Sequence, residues 1–270
     1  MNIIEVKDIL LSLGLRSGDN ILVSSDVMRL LIHLSGGDRK VFRSNEAKEA
    51  ILDQIIDCLQ EIVGEQGTLL FPTYTWGFCH GETFDIRNTL GVTGFLSNYA
   101  LKREDFKRTK HPIYSFAVWG KASNDLVSLE NKDSFAQESP FGWLLRNNGK
   151  NLTLDSDFYF TFMHFIEESC GMTYRFIKNF TSQYIDENGI ESSREYSMYV
   201  RDLNYKVVYD QNKYEAFLKQ NKTMKCIEVN KMIFGVTDLT ASYPLLKADM
   251  LNNKSRNIIK SIEKIDQDKV

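Results

Sequence analysis

One stretch of this chain constrains its fold more than any other: an apolar run, an amphipathic segment and a second apolar run between residues 21 and 71. Ile21-Leu22-Val23 is short and continuous, and it stops at Ser24-Ser25-Asp26, which reads as a buried strand. Residues 46–63 (EAKEAILDQIIDCLQEIV) place apolar side chains three and four apart, the spacing of one helix face, and Gly64 and Gly67 end the segment. Thr68-Leu69-Leu70-Phe71 is the next buried strand, and Pro72 stops it. Strand, helix and strand at this spacing call for an α/β core.

The rest of the chain fits that frame. Glu5–Leu13 has helical spacing and ends at Gly14. Ile113–Trp119 is apolar and β-prone, so it is expected as a third strand. Asn151–Leu154 is a fourth, leading into a helix that Ser156 or Asp157 would cap and Gly171 would close. Tyr184–Asp210 alternates aromatic and polar residues around Asn188-Gly189, a strong hairpin signal. A helix over Lys213–Lys219, a strand over Met232–Val236 and a charged helical tail (IIKSIEKIDQDKV) complete the reading. The expected fold is one α/β domain over residues 1–270, with a central mixed sheet flanked by helices and an antiparallel C-terminal portion.

Composition removes several functions. With 43% hydrophobic and 26% charged residues, the chain can bury a large core. A net charge of −3 supplies no basic face for duplex nucleic acid. The cluster Lys102-Arg103, Lys107-Arg108 and Lys110 is either a solvated face or an anion site. Glu5, Lys7 and Asp8 interrupt the first apolar run, against a signal peptide, and no stretch has the length of a membrane span, so a cytoplasmic protein without membrane insertion is expected. The cysteines Cys58, Cys79, Cys170 and Cys226 form no CxxC pair, and the histidines are equally dispersed. Reduced thiols and no metal site are expected.

Chemistry concentrates in Thr161-Phe162-Met163-His164-Phe165-Ile166-Glu167-Glu168. On a helix, Thr161, His164 and Glu167 or Glu168 share one side. Acyl transfer to an amine needs such groups. Only the neutral amine attacks a thioester, and a histidine titrates near neutrality without a large shift. A carboxylate beside the ring fixes its tautomer, and a hydroxyl near the helix start can meet the oxyanion. The alternative is a core helix with a satisfied histidine, which the surrounding phenylalanines favour. Cys170 as an acyl carrier is set aside, because the C-terminal end of a helix raises a thiol's pKa.

The chain resembles the aminoglycoside 3-N-acetyltransferase family along most of its length. Leu13-Gly14-Leu15 with Gly18-Asp19 and Leu22-Val23-Ser24-Ser25-Asp26 is similar to the family's opening stretch. Gly67-Thr68-Leu69-Leu70-Phe71-Pro72-Thr73, Phe84-Asp85 with Gly94, and His111-Pro112 with Ser115-Phe116-Ala117 and Trp119-Gly120 follow in the family's order. Glu138-Ser139-Pro140 with Gly142 comes next, and Thr161, His164 and Glu167 then fall on the family's T..H..E helix, whose histidine is the catalytic base. There are departures. Ser24 stands where the family usually has a histidine, Asp155 where it has a glycine, and one residue is missing before the helix. Residues 38–48 (DRKVFRSNEAK) add length after Gly36-Gly37. The run Tyr174-Arg175-Phe176-Ile177-Lys178 resembles branches found with glycan biosynthesis more than the resistance enzymes.

The resemblance implies an acetyl-CoA-dependent N-acetyltransferase with His164 as base, supported by Glu167 and Thr161. Ser24, Ser25 and Asp26 end a strand where α/β folds hold ligands, and with His111 and Ser115 they are candidates for the acyl donor, each weighed against a structural role. Thr73, Tyr74 and Trp76 are candidates for an acceptor wall. Arg175 and Lys178 suit a phosphate-bearing acceptor, so the acceptor expected is an amino sugar, preferably nucleotide-linked. For Arg175, a bridge to Glu167 or Glu168 is the competing reading. Asp202 lies roughly where the resistance enzymes hold an acidic residue, against the plainer reading of a solvated hairpin charge. An aminoglycoside acceptor and a CoA- or glycan-binding protein without catalysis are the alternatives. A homodimer is compatible with the sequence and not specified by it.

Overall fold

The computed structural model describes residues 1–156 and 161–265. From the N-terminus, helix α1 (Ile3–Leu13) opens with a capping box between Asn2 and Glu5 and closes at Gly14, whose φ of 105° favours a residue without a Cβ. Strand β1 (Asn20–Ser25), helix α2 (Met28–Leu34), helix α3 (Asn45–Val63) and strand β2 (Thr68–Pro72) follow. Next come β3 (Phe84–Asp85), α4 (Phe95–Lys102), β4 (Lys107–Arg108), β5 (Phe116–Gly120), α5 (Ser123–Val127), α6 (Pro140–Arg146) and β6 (Lys150–Leu154). Helix α7 (Phe162–Ser169) leads to the hairpin of β7 (Arg175–Ile185) and β8 (Glu191–Arg201), then β9 (Tyr205–Tyr209) and α8 (Gln211–Gln220). Strands β10 (Met224–Val229) and β11 (Met232–Asp238), helix α9 (Leu239–Asn252) and strand β12 (Ile259–Lys264) end the described chain.

The main sheet runs in the order β10-β11-β6-β1-β2-β5-β4. Strand β1 is parallel to β2 and β6, while β11 and β5 join antiparallel on either side. Alternation along the strands feeds two cores. Ile21, Val23, Leu69, Phe71, Leu152 and Leu154 pack on the α1–α3 side, and Leu22, Leu70, Phe116 and Val118 on the α6, α7 and α9 side. Two smaller sheets, β3-β7-β8 and β12-β9, lie against the second core. The expected α/β architecture with its antiparallel C-terminal part is present.

Three local readings differ. The third strand begins at Phe116 rather than Ile113, because the buried His111 Nδ1 accepts the backbone N–H groups of Ile113 and Tyr114 at 3.3 and 3.2 Å and takes them out of any ladder. The tail expected as helix is β12, paired antiparallel with β9; residues 266–270 lie outside the described residues. The Ser156 hydroxyl donates to the Ser24 carbonyl at 3.2 Å instead of capping α7, and Asp157 lies outside the described residues. Several cations of the basic cluster near residue 105 are engaged within the fold. Arg103 pairs with Asp53, Asp57 and Asp105, Lys110 with Glu130, and Arg108 is buried against the carbonyls of Thr73, Ile86 and Thr89.

Candidate active site

The carboxyl ends of β1 and β2 open into one cleft. In this sheet the strand that follows β1 is β2, on one side, whereas those that follow the adjacent β6 are β10 and β11, on the other, and a crevice forms where such a sheet holds ligands. The cleft encloses about 460 Å³, and Ser24, Ser25, Tyr74, Trp76, Thr161 and His164 line it together. Tyr114, Thr93, Ser97 and Ser156 complete the polar and aromatic lining. Tyr114 packs edge-on against Tyr74, with centroids 4.7 Å apart, and against Trp76 at 5.4 Å, so the three rings make a continuous wall. Burial pushes the Tyr74 phenol well above its ordinary value, and the Thr161 side chain partly offsets this.

Thr161 stands at the N-terminal boundary of α7, and His164 follows one turn in. His164 Nδ1 lies 2.7 Å from Glu167 Oε2, with the ring partly exposed to the cleft and the carboxylate fully buried. The anionic carboxylate only accepts, so Nδ1 is the protonated nitrogen of the neutral ring and Nε2 keeps the lone pair. Glu167 also meets groups from outside its helix. Arg175 Nε stands 2.7 Å from Oε2, and the hydroxyls of Tyr174 and Tyr209 donate to Oε1 at 3.0 and 2.8 Å. Burial alone would push Glu167 up, but His164, Arg175 and Tyr209 together hold it below its ordinary value. Glu168 has the opposite character: burial and the neighbouring Asp133 push its carboxyl up to about 8. Glu167, not Glu168, is therefore the residue beside the ring.

The structure does not bring every candidate into the cleft. His111 is fully buried; burial pushes it down to about 3, and its ring is committed to two backbone amides and to the edge of Tyr196. Thr73 and Ser115 share a hydrogen bond of 2.9 Å beneath the cleft, and Ser115 also accepts from Arg108, so both hold the ends of β2 and β5 together. Asp26 lies next door, in a smaller depression with Arg29 and Asp155. Arg175 is drawn against Glu167, the bridge that sequence reading set against a phosphate contact. Lys178 and Asp202 line a separate groove on the β7–β8 hairpin, with Phe176, Phe180 and Leu203. Asp202 accepts from the backbone and side-chain N–H groups of Asn204 in the turn after β8. Cys170 follows α7, and burial pushes its thiol up. Tyr114 and Tyr209 carry no local motif in the sequence, and each is brought in from a distant segment.

Asp155, in the usual place of a glycine, has a φ of 55°, the left-handed region a glycine tolerates. Its carboxylate accepts the Ile233 N–H at 3.2 Å and pairs with Arg29 Nε at 2.6 Å, which holds that conformation. Among the described residues no group of three or more histidine, cysteine, aspartate or glutamate side chains forms a ligand set, and no helix is long and apolar enough to cross a membrane.

The family model described as aminoglycoside 3-N-acetyltransferase matches residues 39–242. The chain belongs to the aminoglycoside 3-N-acetyltransferase family. It is an enzyme of the acetyl-CoA-dependent N-acetyltransferase class. A curated relative is the SPbeta prophage-derived aminoglycoside N(3')-acetyltransferase-like protein YokD of Bacillus subtilis (strain 168), 26% identical over 92% of each chain. The crystal structure of YokD superposes with a TM-score of 0.72, at 22% identity, over 95% of this chain and 96% of YokD. Sisomicin-bound AAC-VIa is similar at a TM-score of 0.74 and 17% identity, over 94% of this chain and 98% of the other. The AAC-IIIb binary complex with CoASH gives 0.72 and 18%, over 97% and 98%.

Proposed function

We propose that this enzyme transfers the acetyl group of acetyl-CoA to an amine on a hydroxylated ring, an amino sugar of the aminoglycoside kind, with His164 as general base. The observation that carries this is the 2.7 Å contact between His164 Nδ1 and the buried Glu167, in a ring that lines the cleft beyond β1 and β2. In the reaction, His164 Nε2 takes a proton from the attacking amine as its nitrogen bonds to the thioester carbon. The Thr161 hydroxyl donates to the oxygen that becomes negative. Collapse of the tetrahedral intermediate breaks the carbon–sulfur bond, and the imidazolium returns the proton to the leaving thiolate. The Ser25 hydroxyl, and the Ser24 hydroxyl as an acceptor since its proton is given to Asn151, meet the amides of the pantetheine arm. The aromatic wall of Tyr74, Tyr114 and Trp76 suits the apolar face of a sugar ring.

A nucleotide-linked acceptor loses the support it had in the sequence. Arg175 is engaged with Glu167, and Lys178 lies in another groove. Family membership, and relatives solved with sisomicin and with a gentamicin, support an aminoglycoside-type acceptor instead. The test is thiol release from acetyl-CoA with sisomicin, gentamicin and a panel of nucleotide-linked amino sugars. Release with the first two supports the proposal. Release with the nucleotide-linked sugars alone overturns the acceptor and leaves the acyl transfer standing.

A further inference from the structure

The Glu167 carboxylate is fully buried, and its hydrogen-bond and ion-pair partners converge from three parts of the fold. His164 reaches it from the same helix, Tyr174 from just before β7, Arg175 from its first residue, and Tyr209 from the end of β9. The Tyr174 and Tyr209 hydroxyls donate to Oε1 and His164 meets Oε2, where Arg175 Nε also stands in ion-pair contact. Arg175 is itself fixed: Nη1 donates to the Tyr199 carbonyl at 3.2 Å and Nη2 to the Tyr209 hydroxyl at 3.4 Å. Its side chain is 9% exposed, so solvent screens the pair weakly.

The charge balance follows from where the cation sits. A buried carboxylate against an imidazole, with no other charge, favours imidazolium, because the anion then gains a counter-ion. An imidazolium is useless as a base. Arg175 meets the same Oε2 that His164 meets, and at the same 2.7 Å, so a permanent cation already neutralises the anion. We propose that Arg175 is a positioning residue that offsets the charge of Glu167 and thereby keeps His164 neutral and able to accept a proton from the acceptor amine. Tyr209, through its bonds to both Glu167 and Arg175, holds the two in register.

Among the described residues, the phenols that face this centre carry no compensating charge, and the Lys247 ammonium of α9 bears on Cys170 at the end of α7. Tyr174, Tyr199 and Tyr114, from the residue before β7, from β8 and from the segment before β5, are all pushed up by burial and stay neutral phenols. On α7 itself, Cys170 is pushed up, and Glu168 faces Asp133 rather than the ring. Arg175 is the permanent cation held against Glu167.

This inference rests on the acyl-transfer reading, so its test uses a readout besides activity. In the full chain labelled with ¹³C-histidine, the His164 ring signal, assigned with His164→Gln, is titrated in wild type, Arg175→Gln, Arg175→Lys and Tyr209→Phe. Arg175→Gln is expected to move the ring titration up by about one pH unit, a tenfold loss of neutral imidazole below the midpoint. The acid limb of kcat/KM should move with it, and Arg175→Lys should restore most of the shift. If Arg175→Gln does not yield folded protein, Tyr209→Phe is expected to shift the ring in the same direction by less. An unmoved ring titration in folded Arg175→Gln, or in Tyr209→Phe when that is the variant available, overturns the inference. A shifted ring in a protein that acetylates none of the amines tried supports the charge balance and removes the acyl-transfer reading instead.

Discussion

Replacing Glu167 by alanine should be among the most destabilising changes in the molecule. The carboxylate has no exposure, and its loss removes the counter-ion of a guanidinium that is itself 9% exposed and the acceptor that the hydroxyls of Tyr174 and Tyr209 share. Removing one partner of a buried ion pair costs about 3–5 kcal/mol, mostly because the other charge is left buried without compensation. A domain has a total stability of about 5–15 kcal/mol, so the loss takes a large share of it. Urea denaturation followed by far-UV circular dichroism measures it, and Glu167→Gln should fall between wild type and Glu167→Ala. The pH dependence adds a sign. The folded state holds Glu167 below its ordinary value, so this contribution is present above pH 4.5 and lost as pH falls below it. Glu167→Ala should lack that part of the acid slope. A change below about 1 kcal/mol would mean that the carboxylate is not the hub of this network.

Other residues give separable outcomes. His111 is pushed down to about 3, so between its unfolded value of 6.5 and pH 3 the unfolded state binds the extra proton and stability falls with acidification; His111→Gln should flatten that slope in thermal melts while leaving KM for acetyl-CoA unchanged. Trp76→Ala should raise KM for the acceptor severalfold with little effect on kcat, checked by steady-state thiol release, because it removes part of the wall and no reacting group. Lys178→Ala and Asp202→Asn should leave both KM values as they are, since their groove is not the His164 cleft. Glu168→Gln should be nearly silent in turnover at pH 7, where the elevated carboxyl is already mostly protonated.

Much of the core was legible because it is written locally. Ile21-Leu22-Val23 and Thr68-Leu69-Leu70-Phe71 are continuous apolar runs, and in the fold alternate side chains do enter the two cores on either face of the sheet. Asn188-Gly189 marked the hairpin, and Gly189 takes the positive φ of 79° that the turn needs. The pairing of His164 with Glu167 was readable because both lie on one helix three residues apart. What was missed depends on distant pairing. Tyr209 reaches Glu167 across 42 residues of sequence, carried by a strand whose own partner is the C-terminal strand. That terminal segment spaces its isoleucines like a helix, but pairing with β9 and burial of Ile258 and Ile259 decide otherwise. Helix α9 escaped notice because Pro244 sits inside it, where a proline ordinarily ends a helix.

The central claim is that His164 is the base of an acetyl transfer. It is tested most directly by following CoA thiol release in His164→Ala against wild type, with a saturating amine acceptor and with acetyl-CoA binding measured alongside. The account predicts a fall in kcat of about a hundredfold or more with acetyl-CoA affinity nearly unchanged. Turnover close to wild type in a folded His164→Ala would contradict it.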